Sequence, residues 1–578
     1  MNYELIAPRS LSYSAIEQVL RNRGIEDIEH YLNTSDSDIL NPLTIDNVVE
    51  GAKMLVSHIA RGSKVMIQID SDADGYTSAA ALINYLNHLV PSFVQNNISY
   101  RPHTGKMHGL ILDTIPDDVG LVIAPDSSSN DYEVHQALRE RGIDVLVIDH
   151  HEAEKVSEYA CVINNQLCDY PTKSLSGVGM VYKFCSYLDS LLGVNHANEI
   201  LDLVALGLVA DMVSLKDYET KHLIHLGLRQ INNPFFKGMT IKNEFSLGSN
   251  ITPFGVAFYV APYINAVTRV GTPDEKITMF EAMLDFKAFE MIPSTKRGYK
   301  GSFETRVEQA CRNCVNIKNR QTKTRDASLE IIEQIIAEQN LVDDKVLLVT
   351  LNKNQKSSLS GLIANQLMSI YQRPVFILNE TDHEGQTWWE GSGRGPNVPG
   401  LEDCRDFCET SGLVEYSEGH ANAFGIGITN ENLQKFKDYC NEHLKDFDFT
   451  PTYKVDFEYK ANELKNNFTD FYNLIEYSHL WGQEVEQPFI AITNIPITRD
   501  SITLMKGTTL KISVSDCPDI SFIKFRSSEQ EFEVLCPDSD LGCVNISVIG
   551  VCERNSYNDK PQIIVKDYCI EKRQQYYF

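Results

Sequence analysis

Aspartate and histidine gather at the ends of three short apolar runs, where they could hold a divalent cation. Lys64–Asp70 reads K-V-M-I-Q-I-D and continues S-D-A-D-G-Y-T-S, so Asp70, Asp72 and Asp74 alternate just before Gly75. Leu121–Asp126 reads L-V-I-A-P-D, and Val145–His151 reads V-L-V-I-D-H-H, ending on Asp149, His150 and His151. Carboxylates at every second residue of a strand end or tight loop can face one ion. A solvated acidic turn is the simpler alternative for the first run, and an EF-hand loop also opens D-x-D-x-D-G. The EF-hand needs a bidentate Glu at its twelfth position, where this chain has Ala81, and a helix before it, where the pattern is that of a strand. Leu201–Leu215 is apolar almost all round and reads as a buried helix with Asp211 inside it. A buried carboxylate needs a partner, and either a metal or a capping contact would serve.

The elements that must carry these residues follow from the same runs. Each is long enough for a strand buried on both faces and too short for a helix. Helical stretches such as Tyr132–Arg141 separate them. Alternating strands and helices predict a doubly wound parallel sheet, with ligands held at the carboxyl ends of its strands. Lys345–Thr350 (K-V-L-L-V-T) and Pro374–Leu378 (P-V-F-I-L), separated by the helical Ser360–Met368, start a second α/β domain. Beyond residue 451 the runs become short and β-rich (Leu510–Val514, Ser521–Phe525, Val544–Val551, Gln562–Asp567), which predicts a small barrel. The expected organisation is an N-terminal helical segment over 1–60, a parallel-sheet domain over 61–290, a basic connecting helix over 291–340, a second α/β domain over 341–450 and the β domain over 451–578.

Composition sets the class. At 578 residues, 43% apolar and 23% charged, the chain is a multi-domain globular protein. No apolar run is long enough to span a membrane, and the N-terminus lacks the layout of a signal peptide. Thirteen cysteines without paired spacing suit a reducing cytoplasm, and the lone Cys311-x-x-Cys314 reads as structural. A net charge of −27 argues against a nucleic-acid partner unless a local basic strip exists. One does: Lys296 to Arg325 holds nine basic residues against Glu304 and Glu308. Such a strip could track a phosphate backbone or could be an ordinary solvated helix face. Ile331, Ile332, Ile335 and Ile336 continue it with an apolar face.

With these residues placed, the sequence resembles the DHH phosphoesterase superfamily and, within it, the RecJ single-strand-specific DNA exonucleases. The matching stretches are the 70–78 run, Asp126 after its strand, Asp149-His150-His151, and L-V-A-L-G-L-V-A-D ending at Asp211. The resemblance implies that Asp70, Asp72, Asp74, Asp126, His150 and Asp211 ligate two Mn2+ or Mg2+ ions. It implies that Asp149 and His151 ligate or polarise the site, and His151 is the group expected to address the phosphate. Leu175–Tyr182 resembles a glycine-containing segment of that domain. Ala261–Arg269 resembles the stretch that places Asn265 and Arg269 near DNA. The G-S-G-R-G run at 391–395 and the E-G-H-A-N-A-F-G run at 418–425 resemble the DHHA1 domain, where Ser392, Arg394, Gly419 and His420 would bind the 5′ phosphate end. Three departures stand out. Glu418 replaces the first of two glycines, Asp126-Ser127-Ser128 replaces D-N-G, and Arg101–Leu110 is shorter than its counterpart and lacks the arginine expected within it, for which Arg101, His103 or Lys106 would substitute.

The donor set supports the implied chemistry. Hard oxygens with one or two imidazoles suit Mn2+ or Mg2+ better than zinc, and none of the cysteines lies in these stretches. Two such ions about 3.5–4 Å apart activate water and stabilise a leaving oxygen, as phosphodiester hydrolysis requires. The expected activity is 5′→3′ exonucleolytic hydrolysis of single-stranded DNA in repair, recombination or replication, with Asp74, Asp149 and His151 nearest the chemistry. Single-stranded DNA is the expected partner, with a helicase or single-strand-binding protein as a possible helper. The C-terminal β domain would have the OB-fold of RecJ, with Phe522, Lys524, Phe525, Arg526 and Tyr557 as either a stacking-and-charge surface or plain core and ordinary surface. Two alternatives remain open: a phosphodiesterase acting on short oligonucleotides or cyclic nucleotides, and a non-catalytic single-strand binder.

Overall fold

The computed structural model describes residues 1–578 apart from 105–106, 249, 300, 354, 356, 358, 397, 451, 516, 537–541, 556 and 576–578, and apart from the side chains of 542–543 and 572–575. Lys106 and Lys300 lie outside the described residues. The chain forms two compact units, one of residues 4–318 with 454–578 and one of 1–3 with 319–453. No helix among the described residues is long and apolar enough to cross a membrane.

In the larger unit, α1 (Ala15–Asn22) and α2 (Val48–Arg61) lead into β1 (Val65–Ile69), α3 (Ala73–Leu89), β2 (Ile98–Pro102), β3 (Leu121–Pro125), α4 (Tyr132–Glu140), β4 (Asp144–Asp149) and β5 (Cys161–Asn164). The strands form one parallel sheet in the order β2-β1-β3-β4-β5. All residues of β1 and β3, and all of β4 but Asp144, are buried, as apolar runs covered on both faces must be. The chain steps from β1 outward to β2 and then back to β3 on the other side. The reversal therefore falls between β1 and β3, and Asp70 and Asp126 follow these two strands. A crevice opens there because the connections leave in opposite directions.

Next come α5 (Gly177–Leu192), α6 (Leu201–Ala210), α7 (Tyr218–Arg229), α8 (Ala261–Val270) and the long α9 (Arg306–Glu338), whose residues from 319 on belong to the smaller unit. Helix α6 is buried almost all round, but it stops at Ala210. Asp211 is its C-cap and not an interior residue, with a side chain 32% exposed. Cys311 and Cys314 of α9 are buried and free.

Helix α9 is less basic than its composition suggests. Arg306 pairs with Glu281 and Glu290 at 2.5 Å, Arg312 with Glu304, and Arg325 with Asp326 at 2.6 Å. Counting charges along the strip cannot register Glu281 and Glu290, which tertiary packing brings in.

The smaller unit carries β6 (Leu347–Leu351), α10 (Ser360–Tyr371), β7 (Val375–His383), β8 (Gln386–Arg394), β9 (Tyr416–His420) and β10 (Ala423–Thr429). Its sheet runs β9-β10-β8-β7-β6, with only β7 and β6 parallel.

The C-terminal segment holds β11 (Phe457–Lys460), α11 (Leu464–Glu476), β12 (Phe489–Ile497), β13 (Ile502–Met505), β14 (Thr509–Ser513), β15 (Ser521–Phe525), β16 (Gly542–Arg554) and β17 (Pro561–Gln575). These strands make a seven-stranded mixed sheet in the order β11-β12-β16-β17-β15-β14-β13. No ladder joins β11 to β13 among the described residues, so the expected barrel is an open sheet. Nor do the described residues of 4–60 and 454–578 stand apart from the parallel-sheet domain. Ile16, Val19 and Leu20 of α1 share one core with Phe471 of α11 and Ile490 of β12. The fully buried Asp456 accepts bonds on both oxygens from Arg23, at 2.8 and 2.9 Å, and another from Asn22. A buried carboxylate answered by a bidentate guanidinium holds these segments in register. Of the expected stacking surface, Phe522 is core and Lys524 pairs with Glu531 at 3.0 Å, while Phe525 and Tyr557 are exposed.

On α7, burial and the neighbouring Lys221, His479 and Arg229 push the His225 imidazole down to about 3. The folded state thus refuses a proton that the unfolded chain accepts at 6.5. Stability is therefore lost as pH falls from about 6.5 toward 3, at about 1.4 kcal/mol per unit of depression. H225Q should flatten this acid limb in thermal melts taken across that range; an unchanged limb would assign it to other groups.

Candidate metal centre

The centre is built from strand ends and helix starts. Asp70 leaves β1, and Asp72 caps α3 by accepting Gly75 N at 3.0 Å. Asp74, in the first turn of α3, is buried against the start of α5. It accepts Ser176 Oγ at 2.9 Å, Gly177 N at 2.7 Å and Val178 N at 3.3 Å. A helix N-terminus stabilises an anion in this way. Asp126 follows β3 with φ +71°, and Ser128 has φ +81°. Ser128 stands where the family pattern D-N-G has glycine, the residue that adopts such a backbone most freely.

Asp149 ends β4 with its oxygens filled. It accepts Ser129 N at 3.0 Å, His150 N at 2.8 Å, His151 N at 3.3 Å and His151 Nδ1 at 2.7 Å. Burial alone would raise this carboxyl, but the bond and charge of His151 outweigh it and hold the group below the usual carboxylate range. The same contact raises His151 against the effect of its own burial. Asp149 therefore orients a histidine that gains a proton more readily than usual. His150 does the reverse, pushed down to about 4 by burial and by His151, and stays neutral, the form in which an imidazole can ligate a metal. Its Nε2 lies 3.2 Å from Asp126 Oδ1, 3.8 Å from Asp211 Oδ2 and 4.0 Å from Asp74 Oδ2.

Three groups of donor atoms lie within 4.8 Å of one another: Asp126, Asp149, His150 and His151; Asp74, His150 and Asp211; and Asp70, Asp72 and Asp126. Asp126 and His150 belong to two groups each, so the three form one centre. Burial, followed by neighbouring carboxylates, pushes Asp126 well above the usual range and Asp211 up to about 9. So many buried carboxylates need a counter-charge. Asp70 Oδ1, Asp126 Oδ1 and His103 Nε2 are buried without a hydrogen-bond partner. Oxygen-rich donors with a neutral imidazole and unfilled lone pairs fit divalent Mn2+ or Mg2+.

Sequence reasoning missed several contributors. His108 Nδ1 holds Asp70 Oδ2 at 2.9 Å, leaving Oδ1 for a ligand, and its ring stands edge-on to His151 at 4.8 Å. His103 Nε2, expected only as an arginine substitute, lies 3.6 Å from Asp70 Oδ1 and joins the candidate ligands. The one signal available for both was the pair of histidines in Arg101–Leu110. Ser129 gave no signal, and Ser176, Gly177 and Gly207 gave only their place in stretches that resemble the family.

The substrate-side expectations divide between the units. Asn265 on α8 accepts Ala73 N at 3.0 Å and so secures the start of α3, while Arg269 is exposed. In the smaller unit, strand register sets Arg394 and His420 opposite Ala423 from its two sides, one row on one face. Ser392 Oγ meets Ser360 Oγ at 3.0 Å at the start of α10. Gly419 has φ +129°, and its carbonyl accepts Arg405 Nη1 at 2.6 Å.

Comparison with known proteins agrees with this geometry. The DHH family, N-terminal domain, matches residues 64–208. YorK of the SPbeta prophage in Bacillus subtilis, named for single-strand DNA-specific exonuclease activity, is 37% identical over 583 residues, spanning 100% of this chain and 99% of its own. The single-stranded-DNA-specific exonuclease RecJ of Bacillus subtilis is 24% identical over 97% of this chain and 68% of its own. The crystal structure of RecJ in complex with Mn2+ from Thermus thermophilus shares the fold, with a TM-score of 0.69 at 17% identity over 98% of this chain and 77% of that one. A Mg2+ complex of the same protein gives 0.62 at 18% identity, over 96% and 75%. The chain belongs to the RecJ family of DHH phosphoesterases.

Proposed function

We propose that the protein is a metal-dependent exonuclease that hydrolyses phosphodiester bonds of single-stranded DNA, working 5′→3′ with two Mn2+ or Mg2+ ions. The observation that carries this reading is the set of overlapping donor groups at the sheet's switch point, centred on Asp126 and His150. The names of the relatives supply the substrate class. When bound, the ions would supply a water activated at neutral pH and charge neutralisation at the phosphate. Asp70, Asp72, Asp74, Asp126, His103, His150 and Asp211 would hold them. Asp149 fixes His151 through Nδ1, which leaves Nε2 to donate a proton or hydrogen bond to a phosphate oxygen. Ser392 and Arg394, beside the start of α10, and His420, in the same row as Arg394, would take the 5′ phosphate and set polarity.

Single strands labelled at either end, offered with Mn2+ beside duplex, dinucleotides and cyclic nucleotides, test the reading. Early release of the 5′ label from long strands is expected. Turnover of dinucleotides or cyclic nucleotides alone would overturn it in favour of a small-substrate phosphodiesterase. R394A should raise KM for 5′-phosphorylated strands by about 10- to 100-fold, the worth of 1.5–3 kcal/mol for a charged hydrogen bond, with little change on 5′-hydroxyl strands. Equal losses on both substrates would remove Arg394 from end recognition.

A further inference from the structure

Away from the catalytic centre, His88, His196 and Glu199 bring two imidazoles and a carboxylate together on the surface, with one donor atom from each within 4.8 Å of the others. His88 Nε2 lies 3.2 Å from Glu199 Oε2, and His196 Nδ1 lies 2.8 Å from Glu199 Oε1. The two rings are nearly parallel, 8° apart, with centroids 5.3 Å from each other. From this geometry we infer a second metal site, of the two-histidine-one-carboxylate type, for Zn2+ or a similar borderline transition ion. Imidazole nitrogen favours that class over Mg2+, and a fourth position open to water completes a tetrahedral set.

The scaffold beneath the cluster is already tied. Buried Asp189 accepts Tyr85 Oη at 3.0 Å and Ala197 N at 2.7 Å, and so joins the last turns of α3 to the segment that carries His196 and Glu199. The donors need only small side-chain movements to close on one ion. His88 sits in the last turn of α3, whose start carries Asp72 and Asp74. Glu199 lies in the turn Ala197–Ile200, which feeds directly into α6, whose end carries Asp211. An ion here would clamp the far ends of two helices that both deliver ligands to the catalytic centre.

Equilibrium dialysis of the full-length protein against Zn2+ with excess Mg2+ tests the site, because zinc held at the catalytic centre is common to every variant. The wild type should bind one equivalent more than H88A and one more than E199Q, with a dissociation constant in the micromolar range or tighter. Zn2+ should raise the Tm of the wild type by about 2–4 °C more than that of H88A, as ligand linkage predicts for a chain of this size. Both variants change exposed side chains and should keep Mn2+-dependent turnover. Equal zinc counts in all three proteins would overturn the site, and a loss in H88A without one in E199Q would overturn the three-ligand assignment.

Discussion

D126N should abolish Mn2+-dependent digestion while making the metal-free protein more stable. Asp126 belongs to two of the donor groups, and its Oδ1 is buried without a hydrogen-bond partner. As it is a proposed metal ligand, its loss would remove several kcal/mol of charge stabilisation from the transition state, on the order of a 1,000-fold fall in turnover. The same carboxyl is held well above its usual range by burial and by Asp74, Asp72, Asp70 and Asp211. Asp211 is likewise raised, from 3.8 to about 9. For such groups the folded state binds protons that the unfolded chain has released. Metal-free stability is therefore full below about 3.8 and falls as pH climbs toward 9. Asparagine at 126 removes one of the repelling charges. In EDTA its melts should lie above those of the wild type at neutral pH and depend less on pH. With Mn2+ the order should reverse. A variant that digests DNA normally, or still gains the full Mn2+ shift, would remove Asp126 from the centre.

G177A should cost activity well beyond its cost in stability. A Cβ on Gly177 would lie 2.3 Å from Asp126 Oδ1 and 2.4 Å from Asp126 Cβ. One on Gly207 would meet Thr77 Oγ1 at 2.3 Å and Asp74 Oδ1 at 2.5 Å. Real carbons do not approach so closely, so the aspartates must shift. Overpacking of this kind costs about 1–3 kcal/mol, and a ligand displaced by roughly 1 Å can cost about 100-fold in rate. The comparison that separates the two effects is G193A. That position has φ +70° with no atom within 4 Å of its Cβ, so alanine there adds about 1–2 kcal/mol of backbone strain and touches nothing in the centre. Equal Tm losses with unequal turnover losses are expected of the pair. Parallel losses in both measures would mean that Gly177 matters only for folding.

Legibility from sequence depends on whether a feature is local. The strands before Asp70, Asp126 and Asp149 are legible to within a residue or so, because burial on both faces demands an unbroken apolar run. The edge strands Ile98–Pro102 and Cys161–Asn164 are not, since Ile98–Pro102 is only half covered and Cys161–Asn164 is a mere four residues. Sequence puts Asp211 inside its helix because hydrophobicity does not stop at Ala210, whereas the backbone leaves the helix there: Asp211 is the C-cap and Met212 has φ +58°. The expectation of a barrel fails for a related reason. Alternating short strands specify a sheet, but closure depends on twist and on what covers the edges.

The reaction chemistry is written in the sequence itself. Strand-end aspartates and the Asp149-His150-His151 run are local patterns, and a parallel sheet delivers every strand end to one edge. What only the tertiary structure decided is which groups tune that edge. His108 on Asp70, Ser176 and Gly177 on Asp74, and the cradle of Gly177 and Gly207 all join residues distant in sequence. Nothing in the local pattern encodes such contacts. The contacts on Asp74 arise when helices α5 and α6 pack against α3, while His108 reaches Asp70 from the segment between β2 and β3, and packing at fixed density leaves the aspartates one place to stand.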